Sequence, residues 1–421
     1  MPSPTAYDSA FFFDGPYTFD GGPVYPPAPT WNGAIRPGQL TYYSFDVMTL
    51  TLLAELPFAK VTFSQRLNTP GSFTGTLKLS DRGVANLDPI GATNPSKTLT
   101  LIDLDGQIIW GGLNSTRTFS NTTHGLTVAG RETWAYFTQR LQAADYTVPN
   151  PLSAHWNANP ADACQVAAQI VADAIAVTGS AFSAMGITIR EEFSNPNPIA
   201  CSYPLSQLQT VDSIVSTLAT TGYETGFDFG IGWEWSNGQG STPVPTLFID
   251  YPRRGLAYTG NSPALYVDAA MEYTWPEDAT QQANSVVGTA SGSGAISSAA
   301  GPARAVLGNG YPLLESTTSY SNVSTQAQLD ACTDDDWALL MWPVVTATVT
   351  LPLLGDPVIG SYIVGDDMRL VISPDERFPS GVDTNMRCTG IDATVADDGL
   401  STQTITLGSA LSLPPVPAPP N

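Results

Sequence analysis

The sequence predicts a mainly β protein with an α/β insertion, on three observations. Turn and aromatic residues are abundant, with 37 Gly, 35 Pro, 16 Phe, 16 Tyr and 9 Trp in 421 residues. Charged residues are 13% of the chain, about half the usual share, too few for the surface of a coiled coil or helical bundle. Short runs of alternating polar and apolar residues recur between turn signals, the period of half-buried strands. A chain that is 42% hydrophobic can bury a sizeable core, which excludes the disordered class.

Residues 1–39 have neither the strand nor the helix period. FFFDGPYTFDGGPVYPPAPTWNG mixes bulky rings with Gly and Pro, which suits an extended arm. Its anchors would be Phe11, Phe12, Phe13, Tyr17, Phe19 and Trp31, lying on a neighbouring surface or on its own domain. From 40 to 150 strand follows strand. VTFSQRLNTPGSFTGTLKL turns at Pro70-Gly71, LTLIDLDGQIIWGGL at Asp105-Gly106, and TFSNTTHGLTVAG near His124-Gly125. An antiparallel barrel or sandwich is the natural product.

The region 151–290 is mixed. NPADACQVAAQIVADAIAVTG predicts a helix with Asn159 as N-cap, Pro160 at its first position and Asp162 in its first turn. LSQLQTVDSIVSTLATTG predicts a second, with Leu208, Val211, Ile214, Val215 and Leu218 on one face. FDFGIGWEW and PTLFIDY read as two arms of a long hairpin. SGSGAISSAAGP, 291–302, reads as a loop or linker. STQAQLDACTDDDWALLM predicts a helix whose apolar face is Leu329, Cys332, Trp337, Leu340 and Met341, its acidic run facing water. Four or five further strands follow to 409, and SLPPVPAPPN ends the chain as a Pro-rich, extended tail from 410 to 421.

Charge narrows the partners. The formal net charge is −22, which argues against sequence-specific nucleic-acid binding, since phosphate contacts need Lys and Arg. Residues 1–150 hold 11 acids and 9 bases, and 151–421 hold 27 and 7, so the excess belongs to the later regions. The longest apolar stretch, Trp337 to Val345, is nine residues and contains Pro343; no membrane span is expected. MPSPTAYDSAFFF lacks a basic, then apolar, secretion signal. Cys164, Cys201, Cys332 and Cys388 are therefore expected as free, buried thiols of a reducing compartment.

Chemistry finds little to use. His124 and His155 are the only histidines, and with no CxxC pair no zinc set forms. No GxSxG, HExxH or Lys-bearing phosphate loop occurs. Asp334-Asp335-Asp336 and Asp366-Asp367 lack the spacing of a calcium loop. Glu191-Glu192 reads as a solvated strand end. No catalytic residue, metal or cofactor is expected. GWEWSNG sets Glu234 between Trp233 and Trp235, a candidate sugar-binding patch or glycosidase acid. Strict alternation would put both rings on one face and Glu234 on the other, as in an ordinary strand.

Three motifs in order carry a family resemblance: Pro70-Gly71 between two strands, Gly111-Gly112 in the next, and Gly130-Arg131-Glu132 entering the following element. With NSVVGTASGSG, YPLLESTTSYSNVSTQAQLDAC and LLGDPVIGSYIVGDDMRLVI after them, residues 40–409 resemble the minor tail proteins, or tail-tip baseplate hubs, of siphophages. The likeness is to the type common in actinobacterial phages, itself similar to the baseplate hub of contractile-tailed phages. The resemblance implies two antiparallel, tail-tube-like β-barrel domains, here 40–150 and 291–409, plus a smaller mixed domain at 151–290. It further implies a non-enzymatic virion protein of the tail tip, assembled in the host cytoplasm as a homotrimer whose six barrels match a sixfold tube. Expected partners are the distal tail or tube protein, the tape measure protein and other tail-tip or receptor-binding proteins. A carbohydrate- or receptor-binding tail protein using Trp156, Trp233, Trp235 and the aromatic arm is one alternative. A tail-associated glycan hydrolase is another.

Overall fold

The computed structural model describes residues 40–147, 163–181, 187–189, 201–220, 226–251, 253–257, 263–268, 271–292, 294–299, 311–320, 326–396 and 400–409. The expected aromatic arm, Asn159, Pro160, Asp162, His155, Trp156, Glu191-Glu192 and the Pro-rich tail lie outside the described residues.

The chain begins with β1 (Leu40–Asp46), β2 (Leu52–Glu55), β3 (Ala59–Arg66) and β4 (Ser72–Lys78). Two single-turn helices follow, α1 (Arg82–Ala85) and α2 (Pro89–Ala92), capped by the side chains of Asp81 and Asp88. Then come β5 (Thr98–Leu104), β6 (Gln107–Ser120) and β7 (Gly125–Glu132). The three expected turns are where the sequence puts them. Asp105 and Gly106 both take positive φ, 52° and 93°, the geometry that suits a two-residue hairpin. Asp103 Oδ1 fixes that turn by accepting the Gly106 N–H at 2.9 Å.

The middle region supplies α3 (Ala163–Ala176), β8 (Thr188–Ile189), α4 (Val211–Ala219), β9 (Asp228–Trp235), β10 (Pro243–Asp250), β11 (Ala264–Val267), β12 (Glu272–Thr274) and β13 (Glu277–Asp278). The second predicted helix begins later than expected. Thr210 caps α4 through its hydroxyl, and Leu208 sits before it in a left-handed conformation, exposed to solvent. The cap overrides the apolar spacing that had drawn Leu208 into the helix.

The last part contains β14 (Ser285–Gly292), β15 (Gly294–Ala299), β16 (Glu315–Tyr320), α5 (Gln326–Leu340), β17 (Val344–Val345), β18 (Ala347–Pro352), β19 (Asp367–Ile372), β20 (Val382–Val395) and β21 (Thr402–Ser409). The segment expected as a linker is a hairpin over its described residues, with β15 antiparallel to β14. Its Gly- and Ser-rich composition hid the strand, because those residues suit a linker as well as a backbone ladder. On α5 the acidic run is not wholly solvated: the Tyr320 hydroxyl donates to Asp336.

Strands from both expected barrels join one sheet, and no closed barrel is found among the described residues. Its order is β2-β1-β5-β6-β7-β4-β3-β20-β21-β18-β12, with β19 beside β20 and β11 beside β19. β20 makes this possible because it is 14 residues long. Val382–Arg387 pairs with β19, and farther along the same edge Gly390–Val395 pairs with β3. Its other edge carries β21.

Two cores use the two faces of the first strands. Leu99 and Leu101 of β5 pack with α3, α4, β9 and β10, whereas Ile102 and Leu104 join Phe63, Phe73, Met368 and Ile391. That is why all seven positions of β5 are buried. A third, small core of Ala290, Leu329 and Cys332 lies between α5 and the β15-β14-β16 sheet. The four cysteines are buried thiols outside any disulfide.

Candidate functional site

The three motifs singled out in the sequence meet at one place. Gly71 N–H donates to Glu132 Oε2 at 2.5 Å, and Glu132 N–H returns to the Gly71 carbonyl at 3.0 Å. Glu132 in turn pairs across the ladder with Gly112. The glycine pair is there for close approach. A Cβ on Gly111 would lie 2.5 Å from Trp233 Cδ1, and one on Gly112 would strike the Arg131 carbonyl and the Trp110 ring. Trp233 Nε1 donates to Thr133 Oγ1 at 2.9 Å, and that hydroxyl donates to the Gly111 carbonyl at 3.1 Å. Trp110 Nε1 donates to the Ser64 carbonyl at 3.1 Å. The motifs therefore position two indoles on either side of β6.

A second set of polar groups ties three parts of the chain together. Asp228 accepts Asn68 Nδ2 and Arg254 N–H, both at 2.7 Å, and forms an ion pair with Arg387. Arg387 also donates to the carbonyls of Gly365 at 3.0 Å and Arg254 at 2.8 Å. Both members of the pair are almost fully buried, so every polar atom must find a partner. Beside them Arg253 makes a bidentate pair with Asp367 at 2.8 and 2.6 Å. Asp366 accepts the N–H groups of Leu256 and Ile363 at 2.8 and 2.9 Å. Asp366-Asp367 thus serves the junction, and no group of three or more His, Cys, Asp or Glu that could hold a metal ion occurs among the described residues. Asn68, Asp228, Arg254 and Arg387 were not singled out in the sequence. The available signal was a charge inside apolar strands, Asp228 in FDFGIG and Arg387 in NMRCTG.

Between these two sets lies a cleft of about 420 Å3, walled by the β3–β4 turn, β6, β9 and the loop Gly360–Val364. β9 is an edge strand of the sheet β8-β10-β9. Its even residues bond to β10 and its odd peptide groups turn outward, where Phe229 N–H donates to Asn68 Oδ1 at 2.9 Å. Trp233 and Trp235 pack on the first core, as alternation requires. Trp235 Nε1 donates to buried Asp103 at 2.6 Å, and its ring meets Tyr43 edge-on at 5.3 Å. The indole N–H groups are committed inside the protein, with both rings at the cleft wall. Glu234 also lines the cleft, and burial raises its pKa. Burial pushes Glu132 up further, to about 8, against weaker opposing effects from the Gly71 N–H and nearby Arg254 and Arg66. His124 is exposed in its turn.

Comparison with solved structures gives three tail proteins that align over nearly their whole length. A tail protein from Neisseria meningitidis MC58 aligns with 87% of this chain and 96% of its own, at a TM-score of 0.56 and 12% identity. The 43 kDa tail protein of prophage MuSo2 from Shewanella oneidensis aligns with 88% and 98%, at 0.56 and 11%. The chain has the fold of phage tail proteins. Prophage tail protein gp18 from Listeria monocytogenes EGD-e extends the likeness, with 89% and 95% aligned at 0.50 and 12%. At such identities the likeness is one of fold. No protein-family model and no curated protein matches the sequence.

Proposed function

We propose that the chain is a structural, non-enzymatic hub of a siphophage tail tip. The observation that carries this reading is the fold, shared with phage tail proteins over at least 95% of each of their chains. The three motifs that suggested a tail-tip hub of the actinobacterial phage type agree with it, since they build one structural node. In this reading the segments 40–150 and 291–409 each present a tube-like surface, and 151–290 is the insertion. Three chains form a ring that adapts a sixfold tube to a threefold tip and lines the DNA exit channel. Above it sits the distal tail or tube protein, inside it the end of the tape measure protein, and below it other tail-tip or receptor-binding proteins. The arm, with Phe11, Phe12, Phe13, Tyr17, Phe19 and Trp31, reaches a neighbouring surface. The ring assembles in the host cytoplasm and ends in the virion. Acids of residues 151–421 face the channel, where they repel passing phosphate.

Native mass of the purified chain at micromolar concentration tests the ring. Three chains of 44.5 kDa give about 133 kDa. A monomer that also fails to assemble with the distal tail protein would refute the ring, and immunogold labelling along the side of the tail would refute the tip.

A further inference from the structure

We infer that the cleft along the outer edge of β9 binds a neutral saccharide unit. Its volume of about 420 Å3 falls in the range of small-molecule sites, about 300–1,000 Å3. The floor is open at Gly232, where an added Cβ would meet nothing within 4 Å. The walls are rings already fixed by bonds made elsewhere, Trp233 to Thr133 and Trp235 to Asp103, so a ligand need not order them.

The polar groups decide the ligand class. The two arginines at the cleft are committed. Arg66 pairs with Asp392 at 2.6 Å, and Arg254 lies 3.4 Å over the Phe248 ring and 3.6 Å from Asp250. Among the described residues lining the cleft, no uncommitted cation is left to hold a phosphate or carboxylate. An apolar ligand would leave the Glu234 carboxyl facing it with no donor, whereas Glu132 already accepts the Gly71 N–H. A divalent ion requires more oxygens than Glu234 provides. The remaining demand is for hydrogen-bond donors without charge. Gln107 lines the cleft, but its Oε1 is closed off from solvent, so Glu234 is the acceptor that the cleft presents. Hydroxyl groups supply those donors and can also accept from the outward peptide groups of β9. A proline-rich peptide such as residues 410–421 brings few N–H groups and fits poorly.

The full-length chain is titrated with glucose, galactose, rhamnose, N-acetylglucosamine and chitotriose, followed by tryptophan fluorescence and calorimetry. Saturable binding of at least one is expected, with a Kd between about 10 µM and 10 mM. Gly232→Val fills the hollow and suits a strand; it should weaken binding at least about tenfold with unchanged circular dichroism and thermal midpoint. If that variant fails to fold, Glu234→Gln, on the same face, should weaken binding at least about threefold. Three results overturn the inference. One is no saturable binding up to about 50 mM. Another is binding that neither substitution changes. The third is binding of a synthetic 410–421 peptide, in place of any sugar, that Gly232→Val abolishes.

Discussion

Arg387 puts a full charge where water scarcely reaches, so its contribution depends on every partner it keeps. Arg387→Met would leave Asp228 with only the Asn68 and Arg254 donors. An uncompensated buried charge costs about 3–5 kcal/mol, read as a fall in the urea midpoint. Adding Asp228→Asn should recover much of that loss, because the stranded charge is then gone. No recovery would mean that Arg387 acts through packing instead. Glu132 gives a pH-dependent test. Unfolded, its carboxyl titrates near 4.5; folded, burial holds its proton up to about pH 8. Between those values the folded chain binds more protons than the unfolded one. Its stabilising contribution is thus complete below about pH 4.5 and declines until about pH 8. Asp103 and Asp366 are raised by burial too, so the observable is a difference. Glu132→Gln, compared with the parent, should gain stability as pH rises through that window. A difference that stays flat would show a carboxyl already solvated.

At the scale of elements, the unit of β14, β15, β16 and α5 is the least supported. Its described core is Ala290, Leu329 and Cys332 alone, and Trp337 Nε1 donates to the Asn284 carbonyl just before β14 at 3.3 Å. Hydrogen exchange should therefore open these strands and α5 at lower free energy than β20, which is paired along both edges. Leu329→Ala should lower protection there, by about 2–5 kcal/mol, and leave β20 unchanged. Simultaneous loss in both would mean that the unit is coupled to the main sheet. What the sequence showed of these elements follows from how local each signal is. Asp105-Gly106 specifies its hairpin by backbone preference alone, and the glycine pair at 111–112 announces close packing without saying what packs. The β14–β15 hairpin was missed because Gly and Ser report linker and ladder alike. Leu208 misled because apolar spacing does not mark where Thr210 caps α4. Of the cleft, Trp233, Glu234 and Trp235 were visible as a strand with a large payload, but the arginine at 387 that closes the junction was not.

At the scale of the molecule, the step that no local pattern foretells is the union of the two barrel segments. Arg66 Nη1 donates to the Ile391 carbonyl across 325 residues, and composition holds no record of that distance. A sheet continuous from β2 to β12 makes the two segments one body. In the ring we propose, such bodies would have to contend with charge. Each chain carries −22, so three carry −66. If the acids of residues 151–421 surround the channel, assembly brings like charges toward one axis, and their repulsion is felt over a Debye length. That length falls from about 30 Å at 0.01 M salt to about 8 Å at 0.15 M. Trimer formation should accordingly strengthen with salt, by about tenfold in apparent dissociation constant across that range, measured by sedimentation at several concentrations. The opposite slope would mean that oppositely charged pairs hold the interface. The acids would then belong on the outer rim, and the channel would need another reason to let DNA pass.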